Sequence, residues 1–81
     1  MRASPPPKLE DALVANLDIY FENLGAQKPH ALYDMVVEAM ERPLIRYALA
    51  RCDSNLSKTA EMLGLSRNTL RKKMTQHRIE I

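Results

Sequence analysis

The 81 residues hold one cysteine, one phenylalanine, two glycines and no tryptophan. A single cysteine excludes an internal disulfide, and Cys52 has no histidine or cysteine at metal-ligand spacing. It reads as a buried or half-buried thiol near a helix end, which suits a reducing cytoplasm. No apolar run approaches the roughly 18 residues needed to cross a membrane. No signal-peptide hydrophobic stretch follows Met1. Catalytic sets are missing too. There are no paired carboxylates, no Ser/His/Asp or Cys/His arrangement and no phosphate-binding glycine loop. His30 and His77 fall on different elements without acidic partners at defined spacing. No enzyme activity, catalytic residue, metal or cofactor is therefore expected.

With so few aromatics, packing falls to Leu, Met, Ala and Val, as in a small helical domain. A chain of this length makes one domain at most and buries only a small core, so a partner chain is a natural source of stability. The net charge of +2 says little, but its distribution says more. From Leu9 to Asp53, four basic residues (Lys28, Arg42, Arg46, Arg51) stand against eight acidic ones, a net of −4. From Ser54 to Arg78, six basic residues (Lys58, Arg67, Arg71, Lys72, Lys73, Arg78) stand against Glu61 alone, a net of +5. The field that attracts a polyanion thus comes from the C-terminal end.

That basic end has a helix-turn-helix pattern, NLSKTAEMLGLSRNTLRKKM. Asn55 is an N-cap candidate, and Leu56, Thr59, Ala60 and Leu63 follow at helical spacing. Gly64 ends the helix where positive φ is least costly, and Leu65 plugs the turn. Ser66 caps a second helix, predicted to run to about His77. Ala60 lets the two helices cross closely. Leu70 and Met74 point inward, leaving Arg67, Asn68, Arg71, Lys72 and Thr75 on the remaining surface.

These residue types match what a major groove requires. It admits one helix, whose N-terminal residues reach base edges. Arg67 is placed for a bidentate pair with guanine and Asn68 for one with adenine. Arg71, Lys72 and Lys73 are candidate phosphate contacts, which set register without reading sequence. Backbone N–H groups at the two helix starts, near Asn55 and Ser66, are further phosphate donors.

Upstream, residues 1–8 with Pro5, Pro6 and Pro7 read as a disordered, Pro-rich tail. Residues 9–53 form a helical dimerisation region, and residues 54–81 the DNA-binding one. The first helix spans Leu9 to Leu24, with Leu9, Leu13, Leu17, Phe21 and Leu24 on one stripe and Ala12 and Tyr20 beside it. Gly25 ends it. The second helix is predicted from Pro29, as its first residue, to Cys52, about 36 Å long. Leu32, Met35, Val36, Ala39, Met40, Leu44, Tyr47, Ala48 and Cys52 line its predicted inner face. Pro43 interrupts it, and the pattern alone leaves a break and a kink equally open. A core this small cannot cover both apolar faces. The surplus points to a homodimer interface drawing on Leu13, Leu17, Tyr20 and Phe21 of the first helix. Leu32, Met35, Val36 and Met40 of the second complete it.

Asn55 to Met74 resembles the C-terminal DNA-binding motif of the Fis family of bacterial nucleoid proteins. The same motif closes the activators that work with sigma-54. LYDMVVEAMERPLIRYALAR resembles the long dimerisation helix of Fis, including its internal proline, so the likeness covers about Leu9 to Ile79. The resemblance implies an all-α, four-helix Fis-like homodimer subunit with a C-terminal helix-turn-helix and a kinked, continuous second helix. It implies a nucleoid-associated transcriptional regulator in the bacterial cytoplasm that binds and bends double-stranded DNA. In such a protein Asn55, Ser57, Lys58, Ser66 and Thr69 join Arg67, Asn68, Arg71, Lys72 and Lys73 at the DNA.

The chain departs from the family at three places. It is too short upstream of the first helix for the β-hairpin arm that touches recombinases, so recombinase stimulation is not expected. Asp53 and Ser54 stand where a glycine and a basic residue are usual, so RNA polymerase contact does not follow from the resemblance. Thr75 and Gln76 replace lysines of many Fis proteins, which predicts fewer phosphate contacts and a gentler salt dependence. Two other readings stay open. One is the detached output domain of a sigma-54 activator, against which Met1 and the proline tail argue for an intact small protein. The other is a helical interaction module without nucleic acid, its basic face serving an acidic protein or a membrane.

Overall fold

Apolar residues at three- and four-residue spacing, with prolines and glycines confined to a few sites, build helices throughout. The computed structural model describes residues 7–81; the predicted tail falls largely outside them. Among the described residues there are four helices and no strand. They are α1 (Pro7–Leu24), α2 (Leu32–Arg51), α3 (Leu56–Leu63) and α4 (Arg67–Gln76). The all-α, four-helix expectation holds. The chain divides into two units, Met1–Ala31 and Leu32–Ile81.

In the first unit, α1 begins at Pro7, two residues earlier than the Leu9 start predicted. Proline is well placed there, because the first turn of a helix has no use for its missing N–H. The helix ends at Gly25, whose φ of 64° is left-handed and whose N–H donates to the Phe21 carbonyl at 3.3 Å. Tyr20 and Phe21 meet edge to face, centroids 5.6 Å apart. The apolar stripe stays open to solvent: Leu9 is 61% exposed, Leu13 45%, Val14 56% and Phe21 43%.

In the second unit, α2 runs for 20 residues, roughly 30 Å, and begins at Leu32 rather than at Pro29. Ala31 takes φ 49°, outside the right-handed helical region, so Pro29 lies in the loop before the helix. The helix is continuous across Pro43. Proline takes away the N–H that would bond the Ala39 carbonyl. Both residues are exposed, which leaves that carbonyl to water.

The buried face of α2 is not the one predicted. Ile45, Ala48 and Leu49 are buried, whereas Met40, Leu44 and Tyr47 are exposed. The predicted face mixed two stripes, one that packs on the following helices and one left outward. Only Ala48 belongs to the first and was expected. Ile45 and Leu49 join Ala60, Leu70, Met74 and Ile79 in the core, with Leu56 and Leu63 packed against it. Ile79 folds back onto the core, while Ile81 is exposed. Leu70 has no exposed surface at all.

Between α2 and α3, Asp53 and Ser54 both adopt left-handed backbone, φ 50° and 62°. The turn is closed by the Ser54 N–H on the Leu49 carbonyl at 2.8 Å and the Asn55 N–H on the Cys52 carbonyl at 2.9 Å. Two consecutive non-glycine residues in this region cost on the order of 1–2 kcal/mol each.

Candidate nucleic-acid interface

The site is assembled by two capped helices and the glycine between them. Asn55 Oδ1 accepts the Lys58 N–H at 2.9 Å, and the Asn55 carbonyl accepts the Thr59 hydroxyl at 2.7 Å. Thr59 is wholly buried, so that bond settles its one polar atom. Gly64, at φ 74°, donates its N–H to the Ala60 and Glu61 carbonyls. The Leu65 N–H reaches the Ala60 carbonyl at 2.9 Å. These bonds end α3 and turn the chain within three residues. Ser66 then caps α4, its Oγ accepting the Thr69 N–H at 3.1 Å. Both N-caps and the left-handed glycine sit where the sequence placed them. α4 itself stops at Gln76, and His77 is its C-cap.

Leu70 and Met74 anchor the inner side of α4. Asn68 and Lys72 lie opposite that anchored stripe, Arg71 lies at its flank, and Arg67, three residues before Leu70, stands at the open N-terminal end of the helix; all four are exposed. Asn55, Ser57, Lys58 and Ser66 are exposed as well, and Thr69 is half-buried. Arg67 Nη1 lies 3.5 Å from Ser57 Oγ, a long contact that brings the start of α3 beside the start of α4. Among the described residues, Lys58, Arg67, Arg71 and Lys72 have no acidic partner within ion-pair distance. Cations without internal partners on one face are available to an external anion.

Lys73 is placed differently from its neighbours. Its ammonium is bound by Glu41 Oε2 of α2, and its side chain is only 29% exposed. Glu41 Oε1 lies 3.0 Å from His77 Nε2. No sequence spacing pairs His77 with an acidic residue; the fold supplies Glu41, 36 residues away and hidden from any local pattern. The hydrogen bond from His77, then that from Lys73, holds the Glu41 carboxyl below the ordinary glutamate range, against a smaller opposing effect of burial. Gln76 Nε2 reaches Glu38 Oε1 at 3.5 Å along the same seam.

Of the residues expected to join two chains, Leu13, Phe21 and Met40 are exposed. Leu17, Tyr20, Leu32, Met35 and Val36 are half-buried, and none of the eight belongs to the closed core. Cys52 is half-buried, with its Sγ 4.0 Å from Met62 Sδ. Among the described residues no group of three or more His, Cys, Asp or Glu side chains could hold a metal ion. No helix of these residues is long and apolar enough to cross a membrane.

Residues 36–77 match the sequence profile described as bacterial regulatory protein, Fis family. That match covers more than half of the chain, from the second turn of α2 to the C-cap of α4. The chain belongs to the Fis family. A Fis-like DNA-binding protein of Neisseria meningitidis is 44% identical over 71 residues, 88% of this chain and 90% of that protein. The DNA-binding protein Fis of Aliivibrio fischeri is 35% identical over 69 residues, 85% of this chain and 70% of that protein. The DNA-binding transcriptional regulator NtrC of Rhizobium meliloti is 45% identical over 69 residues, but these make up only 14% of its length. Within the family, then, the likeness extends both to small proteins and to one segment of a much larger regulator. This Fis-family chain carries the helix-turn-helix with both N-caps and the left-handed glycine in place.

Proposed function

We propose that this chain is a homodimeric protein that binds and bends double-stranded DNA. It acts as a nucleoid-associated regulator of transcription in the bacterial cytoplasm and is not an enzyme. The observation that carries the reading is the two-sidedness of α4. Leu70 and Met74 are locked into the core, while Arg67, Asn68, Arg71 and Lys72 are exposed and, among the described residues, have no acidic partner.

In this reading Arg67 pairs with guanine in the major groove and Asn68 meets adenine. Arg71, Lys72, Ser57, Thr69 and the N–H groups at the starts of α3 and α4 hold the phosphate backbone. The exposed apolar side chains of α1 and the outward stripe of α2 join two chains. Their recognition helices lie too close for successive major grooves of straight DNA, so the duplex bends or narrows its central minor groove. Preference for sequence then arises partly from deformability, with A·T-rich centres compressing most readily. Binding to a randomised duplex library, followed by sedimentation of the complex, tests this. Enriched sites with guanine near both edges and two chains per duplex are expected. Folded single chains with no retention of mixed DNA at micromolar protein would instead favour an interaction module.

The match to NtrC supports a second reading, the DNA-binding output segment of a sigma-54-dependent activator. Chemistry at the DNA is the same in both. Immunoblotting of the native protein separates them: a band near 9.3 kDa supports the small regulator, and a band several times larger supports the activator. RNA polymerase contact through Asp53 and Ser54 has no support from their chemistry, an acid and a small hydroxyl in place of glycine and a cation.

A further inference from the structure

We propose that Glu41 is a positioning residue for DNA binding: from α2 it ties down Lys73 and His77 and so withholds Lys73 from the phosphate backbone. The proposal rests on the DNA-binding reading above. The run Arg71, Lys72, Lys73 looks like three equivalent cations, but the fold divides it. Arg71 and Lys72 are exposed. The Lys73 ammonium sits on one oxygen of Glu41, and His77 Nε2 lies 3.0 Å from the other. Both carboxylate oxygens are therefore engaged, and the Glu41 side chain is only 15% exposed.

Helix geometry explains why one carboxylate serves both. Lys73 and His77 are four residues apart and so lie on one face of the α4 segment, flanking Met74. That face packs toward α2, and Glu41 meets it there. The contact between Gln76 and Glu38 continues the same seam one turn along α2. A phosphate competing for Lys73 would have to pull it from a partly buried, charge-assisted bond. It would leave the carboxylate with His77 alone. Arg71 and Lys72 face no such competition. Glu41 thereby fixes the rotation of α4 about its axis and removes one sequence-blind contact. Each phosphate neutralised contributes about 0.9 to the slope of log affinity against log salt, so a withheld lysine is visible as a missing increment.

The experiment is the salt dependence of binding to a random-sequence duplex, with the full chain and four variants. Lys72→Gln should flatten the slope by about 0.9 per bound chain, which establishes sensitivity. Lys73→Gln should leave it unchanged. Glu41→Gln should steepen it by about 0.9 per bound chain, so that for two chains on one duplex a fourfold dilution of salt gains about 12-fold more affinity than in the wild type. Glu41→Gln with Lys73→Gln should return to the wild-type slope. A merely structural role for Glu41 would shift affinity without moving the slope. Flattening by Lys73→Gln equal to that by Lys72→Gln overturns the proposal, and this variant decides the matter even where Glu41→Gln unfolds by circular dichroism. A wild-type chain that binds no duplex overturns the DNA-binding reading itself, a distinct result from equal slopes among binding variants.

Discussion

Residues 7–24 and residues 32–81 solve the same problem in opposite ways. The second unit closes its own core: Ile45 and Leu49 of α2, Ala60 of α3, Leu70 and Met74 of α4 and Ile79 pack together, with Thr59 satisfied beside them. The first unit is a single helix whose Leu9, Leu13, Val14, Ile19 and Phe21 remain exposed. A lone helix has no second layer to pack on, so its apolar stripe is a surface looking for a partner. The difference teaches that one segment closes a core while the other leaves apolar surface open, which in the proposed homodimer separates stability from assembly. Mutations in one should unfold the chain, and mutations in the other should separate two chains.

The largest effect should come from the closed core. Leu70→Ala removes a side chain with no exposed surface and should cost about 2–5 kcal/mol of unfolding free energy, read by urea denaturation. A loss below about 1 kcal/mol would mean that the second unit is not the seat of stability. Next, Leu13→Asp places a charge in the exposed stripe of α1. It should weaken self-association at least tenfold, about 1.4 kcal/mol, in sedimentation equilibrium while helix content survives. Unfolding of the whole chain by this change would erase the contrast between the units.

The proposed DNA face subdivides the second unit further. Arg67→Ala should cost about 1–3 kcal/mol at sites with guanine near their edges and little elsewhere. Lys72→Ala should instead weaken binding to all sequences alike. Equal losses on specific and random duplexes for Arg67→Ala would remove it from base reading. Ser54→Gly relieves left-handed backbone at φ 62° and should raise stability by about 1 kcal/mol in thermal unfolding. No gain would place the turn's cost elsewhere.

The smallest effect concerns acid. The Glu41 carboxyl titrates below its ordinary range in the folded chain, so its contacts favour folding above the unfolded-state value. That contribution disappears as pH falls through the lowered folded value. The stability difference between wild type and Glu41→Gln should therefore be present near neutrality and shrink in acid. A difference that grows on acidification would contradict the assigned direction.

Much of this could be read from the chain alone. Asn55, Gly64 and Ser66 announce the helix-turn-helix because capping and left-handed backbone depend on residues within three or four positions. Leu70 and Met74, one turn apart, orient α4 for the same reason, and Asn68 and Lys72 follow on the opposite side. Spacing along α2 was less informative, because its two apolar stripes are both helical. Nothing local says that Ile45 and Leu49 face the core while Leu44 and Tyr47 do not. The left-handed Ala31 that delays α2, and the left-handed Ser54, carry no signal in their side chains; Asp53 carries only a weak one.

Local chemistry therefore determined the helices, their caps and the candidate reading surface, since those interactions span no more than one turn. Only the tertiary structure decided which stripe of α2 is core and which of three adjacent cations is tied down. Glu41 is 32 residues from Lys73 and 36 from His77, and no periodicity links positions that meet only when helices cross.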